Sequence, residues 1–125
     1  MVEAALILPL LFLLIFGLVE FGRAYNAKVT LTHAAREGVR ELALHNIPAD
    51  AEERARNTAT SLHEPNMDFF YGDRPGDTPG DFVDNCGVAG FPVKFTITYE
   101  FNYSIPFFSG DTLNLESSGV MRCSG

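Results

Sequence analysis

The sequence predicts an α+β protein in which a long N-terminal hydrophobic helix carries a second short helix and a small antiparallel β-hairpin or sheet as its head. Three observations support this fold class. Residues 4–19 contain no charged or polar side chain, residues 20–45 keep a helical spacing of apolar residues, and residues 93–105 alternate between apolar and polar side chains. The 125-residue length allows one ordinary domain. The expected organisation is a helix over residues 1–47 and a head over residues 48–125.

The apolar segment, residues 4–19, spans roughly 24 Å as a helix, slightly less than the hydrocarbon core of a bilayer. A secretory signal peptide is disfavoured, because no Lys or Arg precedes Ala4 and Val19-Glu20-Phe21 is a poor cleavage site. A buried core helix is also disfavoured, since 125 residues offer little protein to cover a helix that is apolar all round. A membrane helix, or a helix surrounded by copies of itself, fits best.

Residues 20–45 are predicted to continue this helix in amphipathic form, because no further proline occurs before Pro48. Pro9 and Gly17 are the expected places for a bend. The apolar stripe of the amphipathic part recurs at three- and four-residue steps or their multiples, and it consists of Phe21, Tyr25, Leu31, Ala35, Val39 and Leu42.

A second helix is predicted over residues 50–63, with Asp50 as its N-cap, Glu53 in capping-box spacing and Pro65 beyond its end. The next segment, residues 64–92, is predicted to be a long acidic surface loop rich in Gly and Pro. Its carboxylates could in principle wrap a Ca²⁺ ion, but their spacing differs from that of an EF-hand and a solvated loop is favoured. These weak metal candidates are Asp73, Asp77, Asp81 and Asp84.

Two strands are predicted, over residues 93–105 and 112–123. The alternation in the first strand predicts one buried face and one solvent-exposed face. The second strand places its apolar residues on one parity, namely Leu113, Leu115, Met121 and Cys123. We therefore expect an antiparallel hairpin whose apolar face lies on the helical stripe.

The only two cysteines, Cys86 and Cys123, are expected to form a disulfide that ties the loop and the C-terminus to the head. Such a bond closes 37 residues of chain (123 minus 86). It is worth on the order of 3–4 kcal/mol in the chain-entropy model. It would also indicate an oxidising compartment.

Charge is divided unequally along the chain. Residues 1–62 carry 7 acidic and 6 basic groups, whereas residues 63–125 carry 9 acidic and 3 basic groups, so the net charges are −1 and −6. An acidic head argues against nucleic acid or anionic lipid as its direct partner. The sequence contains no nucleophile elbow, P-loop, dinucleotide-binding, zinc-protease or C-x-x-C motif. No catalytic residue, cofactor or enzymatic activity is therefore predicted.

Glu3 stands directly before the apolar segment, where a carboxylate is unusual. Two interpretations remain open. The helix dipole can stabilise a first-turn glutamate at a membrane interface. Alternatively, the carboxylate pairs with a positive group, such as a chain-terminal amine, on a neighbouring copy.

Three stretches of the N-terminal helix form a recognisable pattern. They are Val2-Glu3-Ala4-Ala5 leading into Leu8-Pro9-Leu10-Leu11, then Gly17-Leu18-Val19-Glu20-Phe21-Gly22-Arg23-Ala24, and finally Ala34-Ala35-Arg36-Glu37-Gly38-Val39-Arg40. This pattern resembles the TadE-like pilin family, part of the type IV pilin superfamily and associated with tight-adherence systems. The resemblance is strong over residues 2–40 and looser through the alternating strand and the Met121-Arg122 ending. It implies a prepilin with a basic leader that a membrane aspartyl peptidase removes, so the chain is expected to begin at or near the processed end.

The resemblance implies a structural subunit of an extracellular type IV-like pilus that serves surface attachment. The implied partners are other copies in a homopolymer, the inner membrane before assembly, the prepilin peptidase and the pilus assembly machinery. Glu3 matches the family's glutamate, which normally stands fifth after the cut and is third here, and would pair with a neighbouring N-terminal amine. Assembly is expected to use Glu3, Leu6, Leu10, Phe12, Leu13 and Phe16. A minor pilin or pseudopilin, or a single-pass anchored component of a secretion or pilus assembly system, are the alternatives.

Overall fold

The computed structural model describes residues 1–62, 67–102 and 112–124. Its elements in chain order are helix α1 (Val2–His45), helix α2 (Pro48–Thr58) and the strands β1 (Met67–Tyr71), β2 (Pro92–Asn102) and β3 (Thr112–Arg122). The strands form one antiparallel sheet in the order β1-β2-β3. The predicted α+β class is confirmed, because the long apolar helix, the short helix and the antiparallel sheet are all present.

Helix α1 is 44 residues long, which corresponds to about 66 Å at the usual rise per residue. It continues through Pro9 and ends where Asn46 adopts the left-handed conformation, with φ 54° and ψ 36°. Asparagine tolerates this conformation better than most residues. The Asn46 N–H donates to the Leu42 carbonyl, and its side-chain Oδ1 accepts a hydrogen bond from the Cys86 N–H at 2.7 Å. The end of the long helix is thereby fastened to the head.

Helix α2 begins earlier than the capping pattern predicts. Ile47, in extended conformation, is the N-cap and Pro48 is the first helical residue, so Asp50 lies inside the first turn. Proline suits this position because its fixed φ fits a helix and its missing N–H would have no partner there. The helix ends at Thr58 rather than at residue 63. The predicted end at His63 and Pro65 lies outside the described residues.

The segment predicted to be a continuous loop, residues 64–92, contains strand β1, and this part of the prediction is wrong. The sequence Met-Asp-Phe-Phe-Tyr is rich in aromatic residues that favour strands. The glycines and prolines that follow it hide the signal. β1 pairs antiparallel with β2 in a register that places Phe69 opposite Ile97. The sheet therefore has three strands, with β2 at its centre and β1 and β3 at its edges.

The core lies between the second half of α1, helix α2 and one face of the sheet. Leu31 and Leu42 of α1 are fully buried together with Phe95 and Ile97 of β2. The predicted stripe on α1 is only partly right, since Phe21 and Tyr25 are 70% and 66% exposed. The described part of the head leaves both side chains uncovered. The buried positions of α1 are Ala27, Leu31, Ala34, Ala35, Gly38, Val39, Leu42 and Ala43.

Strand β3 faces α1 with the predicted parity, but its closest residues are small. Gly119 lies so near the helix that an added Cβ would stand 2.8 Å from Val39 Cγ1 and 2.9 Å from the Ala35 carbonyl oxygen. Ser117 Oγ hydrogen-bonds Thr32 Oγ1 at 2.9 Å. Leu113 and Met121, which the alternation predicted to be inward and apolar, are instead exposed at the two ends of the strand, beyond this close contact.

The second face of the sheet is not uniformly exposed to solvent, contrary to the prediction for β2. Thr96 lies on this face and is fully buried. The β1–β2 loop, residues 72–91, is tied to the same face through Lys94, whose Nζ donates to Asp77 at 2.9 Å and lies 5.1 Å from the Phe82 ring centroid. The predicted strand residues 103–105 lie outside the part of the chain that the structure describes.

Close packing between α1 and β2 predicts opposite results for two helical glycines. A Cβ on Gly38 would overlap the ring of fully buried Phe95, whereas a Cβ on Gly22 would meet no atom within 4 Å. We expect Gly38→Ala to lower the free energy of unfolding by about 1–3 kcal/mol through overpacking. The matched control, Gly22→Ala, should be neutral or stabilising by up to about 1 kcal/mol, because alanine favours helix. Urea unfolding of the full chain in detergent measures both values, and equal results for the two variants would contradict the packing argument.

Candidate assembly surface

The first half of α1 extends away from the head without any packing partner. Its large apolar side chains are exposed all round the helix; for example, the exposed fraction is 74% for Leu6 and 46% for Phe16. The first buried residue of the helix is Ala27. Leu10 and Phe12 are exposed and Leu13 is half-buried, so all the residues predicted to serve assembly lie on this unpacked segment.

Water is an unfavourable environment for this segment. Complete burial of one Leu, Ile or Phe contributes about 1.5–3 kcal/mol. About a dozen such side chains, each roughly half exposed, forgo on the order of 10–20 kcal/mol in water. That amount equals or exceeds the usual net stability of a domain, about 5–15 kcal/mol. Helix α1 is also long and apolar enough to cross a membrane, and none of its most apolar stretch is buried. The helix therefore indicates membrane anchoring.

Glu3 lies in the first turn of α1 and is exposed. A carboxylate at this end interacts favourably with the helix dipole. Within one copy, the next charged residue along the helix is Glu20, about 25 Å away at the helical rise. No basic side chain of the same helix can reach Glu3 over that distance. Within α1 of one copy, the only positive group that can reach Glu3 is therefore the N-terminal amine. Otherwise a positive partner on an α1 helix has to belong to another copy.

The apolar segment ends at a charged pair. Arg23 Nη1 donates to Glu20 Oε1 at 2.7 Å, and the Arg23 guanidinium lies 5.5 Å from the ring centroid of Phe101 on β2. A cation over an aromatic face is attracted by the ring quadrupole. These contacts mark the level at which the helix enters the head, just before its first buried residue.

The four aspartates considered for metal binding are not gathered into one site. Asp73 accepts hydrogen bonds from the backbone N–H groups of Gly80 and Phe82. Asp77 accepts from the Arg74 N–H and from Lys94. Within residues 1–62, 67–102 and 112–124, no three His, Cys, Asp or Glu side chains are grouped so that they could hold a metal ion. The contacts of Asp73 and Asp77 shape the β1–β2 loop.

The Asp77–Lys94 pair predicts an acid sensitivity of this loop. The hydrogen bond from Lys94, followed by that from the Arg74 backbone, lowers the pKa of Asp77 below its ordinary 3.8. A lowered folded-state pKa stabilises the fold above the unfolded value, and this contribution is lost as the pH falls through the folded value. Thermal midpoints of wild type and Asp77→Asn should therefore differ at neutral pH and converge only as the pH falls through the lowered folded-state pKa of Asp77. Exposed Asp68 on β1 supplies the control Asp68→Asn, and a gap that persists in acid would contradict the assignment.

The predicted disulfide between Cys86 and Cys123 is present, with 5.3 Å between the two Cα atoms. It joins the β1–β2 loop to the end of β3. The Ser124 hydroxyl next to it donates to the Ala43 carbonyl at 3.2 Å. With the hydrogen bond between Cys86 and Asn46, these contacts close the loop, the C-terminal strand and the end of α1 into one unit.

Sequence reasoning missed a polar link between α2 and β1. The Tyr71 hydroxyl donates to Glu52 Oε1 at 2.5 Å, and Arg56 lies 3.5 Å from the other Glu52 oxygen and 4.8 Å from the Phe69 ring centroid. Burial, reinforced by the hydrogen bond to Glu52, raises the pKa of Tyr71 far above its ordinary value. The contacts between α2 and β1 join residues 13 (69 minus 56) and 19 (71 minus 52) positions apart, so no local motif signals them. Their role is to hold α2 against the sheet.

Comparison with known proteins finds one relationship. Residues 1–40 match the family model of TadE, described as TadE-like protein. The match covers the unpacked segment, the Glu20–Arg23 pair and the first buried turns of α1. No curated protein and no solved structure matches the chain. The expected resemblance of the N-terminal helix to TadE-like proteins is therefore confirmed over residues 1–40, and it suggests an association with a pilus system.

Proposed function

We propose, from the match of residues 1–40 to TadE-like proteins, that this chain is a structural subunit of an extracellular tight-adherence pilus filament that attaches cells to surfaces. One observation carries the proposal. The apolar half of α1 is exposed on every side, while the rest of the chain closes into an acidic head. This combination suits a protein that covers its helix first with lipid and later with other copies.

Before assembly, the apolar half of α1 lies in the inner membrane. Its length and composition suit a single span. The Glu20–Arg23 pair then lies near the outer surface of the membrane, because it is the first charged position after Glu3. The head lies outside the cytoplasm, where an oxidising environment keeps the Cys86–Cys123 disulfide formed. The prepilin peptidase and the pilus assembly machinery act on this membrane-bound form.

After assembly, the same segment exchanges lipid for the helices of neighbouring copies. Each buried apolar side chain keeps an apolar environment, so the large cost of exposing it to water is avoided. The side chains that make these contacts surround the helix and include Leu6, Leu10, Phe12, Leu13 and Phe16. Ridges of side chains on one helix pack into the grooves of the next, as in other helical bundles.

Glu3 guides the docking of a new subunit. Its carboxylate pairs with the N-terminal amine of a neighbouring copy, which neutralises both charges in the apolar filament interior. A buried charge that loses its partner is strongly unfavourable. The pair therefore favours one axial register between neighbouring helices.

The first experiment asks whether the chain is in filaments. Filaments sheared from cells should contain it, and mass spectrometry of its N-terminal peptide should show a processed end. A chain that retains a leader and is absent from sheared fibres would overturn the proposal. The stoichiometry in purified filaments distinguishes a major subunit from a minor or initiating one, since a minor pilin or pseudopilin shares the same helix but is sparse or confined to one end.

The second experiment tests Glu3. We expect Glu3→Ala to reduce the amount of chain in sheared filaments at least about tenfold, because the amine of the neighbouring subunit is left unpaired in an apolar interior. Glu3→Asp keeps the charge and should retain more filament than Glu3→Ala, and the membrane level of all three proteins serves as control. A permanently anchored secretion component predicts no effect of either substitution. Unchanged filament yield for Glu3→Ala would exclude the proposed pairing.

A further inference from the structure

An open groove of about 420 Å³ runs between α1 and the free edge of β3. Its walls combine two cationic side chains, Arg36 and Arg40, one acidic side chain, Glu37, and three apolar side chains, Val39, Val120 and Met121, together with Ser118 and Gly119. Val120 and Met121 are exposed. Gly119, where the strand lies close to the helix, is part of the lining of this groove. It is separate from the apolar segment that carries the proposed filament core.

Arg36 and Arg40 stand one turn apart on α1, and both are exposed. Neither forms an ion pair within the part of the chain that the structure describes. The acidic neighbour between them, Glu37, lies toward Arg54 of α2 at 4.0 Å. The chain as a whole carries a net charge of −7. In such an acidic chain, two neighbouring arginines that form no ion pair among the described residues make a surface that attracts an acidic surface.

The edge of β3 adds a second kind of binding capacity. Among the described strands, β3 pairs only with β2, so its outer backbone groups have no strand partner. An exposed strand edge presents a row of donors and acceptors to another chain. Peptides commonly bind at such edges, with adjacent side-chain pockets that supply specificity.

The chain itself contains a complementary segment in the second half of the β1–β2 loop, residues 81–91. Its carboxylates Asp81 and Asp84 are exposed and form no ion pair among residues 1–62, 67–102 and 112–124. Its apolar side chains Val88 and Phe91 are 62% and 52% exposed. The segment thus offers two acidic and two apolar groups, whereas the groove offers two cationic and three apolar ones beside Glu37, whose carboxylate lies 4.0 Å from Arg54. The disulfide at Cys86 holds the segment in place, which reduces the entropy lost on docking.

We propose that residues 81–91 of one copy dock into the α1–β3 groove of the next copy, with Asp81 and Asp84 facing Arg36 and Arg40. This inference rests on the proposed filament and adds a contact between its heads. The two surfaces have no residue in common, so the contact is heterologous and can repeat from copy to copy. Burial of Val88 and Phe91 against Val120 and Met121 supplies the apolar part of the contact.

Charge reversal with rescue tests the contact in full-length chains on cells. Arg36→Glu with Arg40→Glu should lower the chain in sheared filaments at least about tenfold, as should Asp81→Lys with Asp84→Lys, since close charge pairs across an interface contribute strongly to affinity. All four changes together should restore most of the yield. The control pair, Glu53→Lys with Asp68→Lys, makes the same charge change as the loop pair at exposed positions outside both surfaces and should leave the yield unchanged. Additive losses without rescue would overturn the proposed docking.

Photo-crosslinking separates this inference from the proposed function. A photoreactive phenylalanine derivative replaces Val120 in a mixture of isotopically light and heavy full-length chains. Crosslinked peptides should join residue 120 of one chain to residues 81–91 of another. Crosslinks to another region, or only within one chain, would overturn the docking even where filaments contain the protein. Conversely, absence of wild-type chain from filaments would overturn the proposed function, while crosslinks to residues 81–91 in membranes would still support the contact.

Discussion

Phe95→Ala is expected to lower the free energy of unfolding by about 3–5 kcal/mol, the range observed for removal of a buried aromatic ring. Phe95 is fully buried at the centre of the sheet. Its ring lies 5.8 Å from that of Phe69 and 5.5 Å from that of Tyr71, between centroids, and it also contacts α1 at Gly38. Its removal leaves a cavity where helix and sheet meet. A loss of this size is a large fraction of the usual stability of a small domain.

The matched control for this variant is Phe70→Ala. Phe70 lies on the neighbouring strand but is 41% exposed, with the Arg74 guanidinium 4.8 Å from its ring centroid. We expect a loss of about 1 kcal/mol, because little apolar surface leaves the core. Urea unfolding of the full chain in detergent, followed by tyrosine fluorescence because the chain has no tryptophan, measures both values. Equal losses for the two variants would show that the helix–sheet contact is not the centre of the core.

The second large effect concerns the disulfide. Replacing both cysteines, Cys86→Ser with Cys123→Ser, is expected to lower the free energy of unfolding by about 4 kcal/mol, from the entropy of a loop of 37 residues in the unfolded chain. The disulfide also positions the Cys86 N–H against Asn46 at the end of α1. The double substitution should therefore also weaken the contact between the end of α1 and the head. Faster amide hydrogen exchange around Asn46 would report this change.

A reductant supplies the control for this prediction. It should destabilise the wild-type chain by about the same amount as the double substitution. It should leave the double variant unchanged, because that variant has no disulfide to break. If the double variant unfolds at the same urea concentration as wild type, the bond contributes nothing to the stability of the head.

Local patterns were reliable where one periodicity dominates a segment. The unbroken apolar run in α1 and the two-residue alternation in β2 predicted a helix and a strand, and both are present. Phe95 and Ile97 were correctly assigned to the buried face of β2. Strand β1 was missed because five residues give a weak signal beside a long run of Gly and Pro. The N-cap of α2 was misassigned because two start signals, Pro48 and Asp50, compete within three residues.

The candidate assembly surface was predictable only in part. Exposure of the apolar segment follows from its composition, since a helix apolar all round cannot be covered by so short a chain. The point at which the head begins to cover the helix does not follow from composition. Phe21 and Tyr25 share the helical spacing of the buried stripe, yet the first buried residue of α1 is Ala27. Packing against the head decides this, and no local pattern encodes it.

By itself, the sequence determined three elements of this protein: an apolar helix that needs lipid or the helices of other copies around it, a second helix and an alternating strand. Each of these elements has a signal in a short stretch of consecutive residues. Only the tertiary structure decided which side chains meet. It placed Gly119 against α1, tied the β1–β2 loop to β2 through the Asp77–Lys94 pair, and opened the groove beside Arg36 and Arg40. The physical reason is that such contacts join residues tens of positions apart, so packing sets them and spacing along the chain does not.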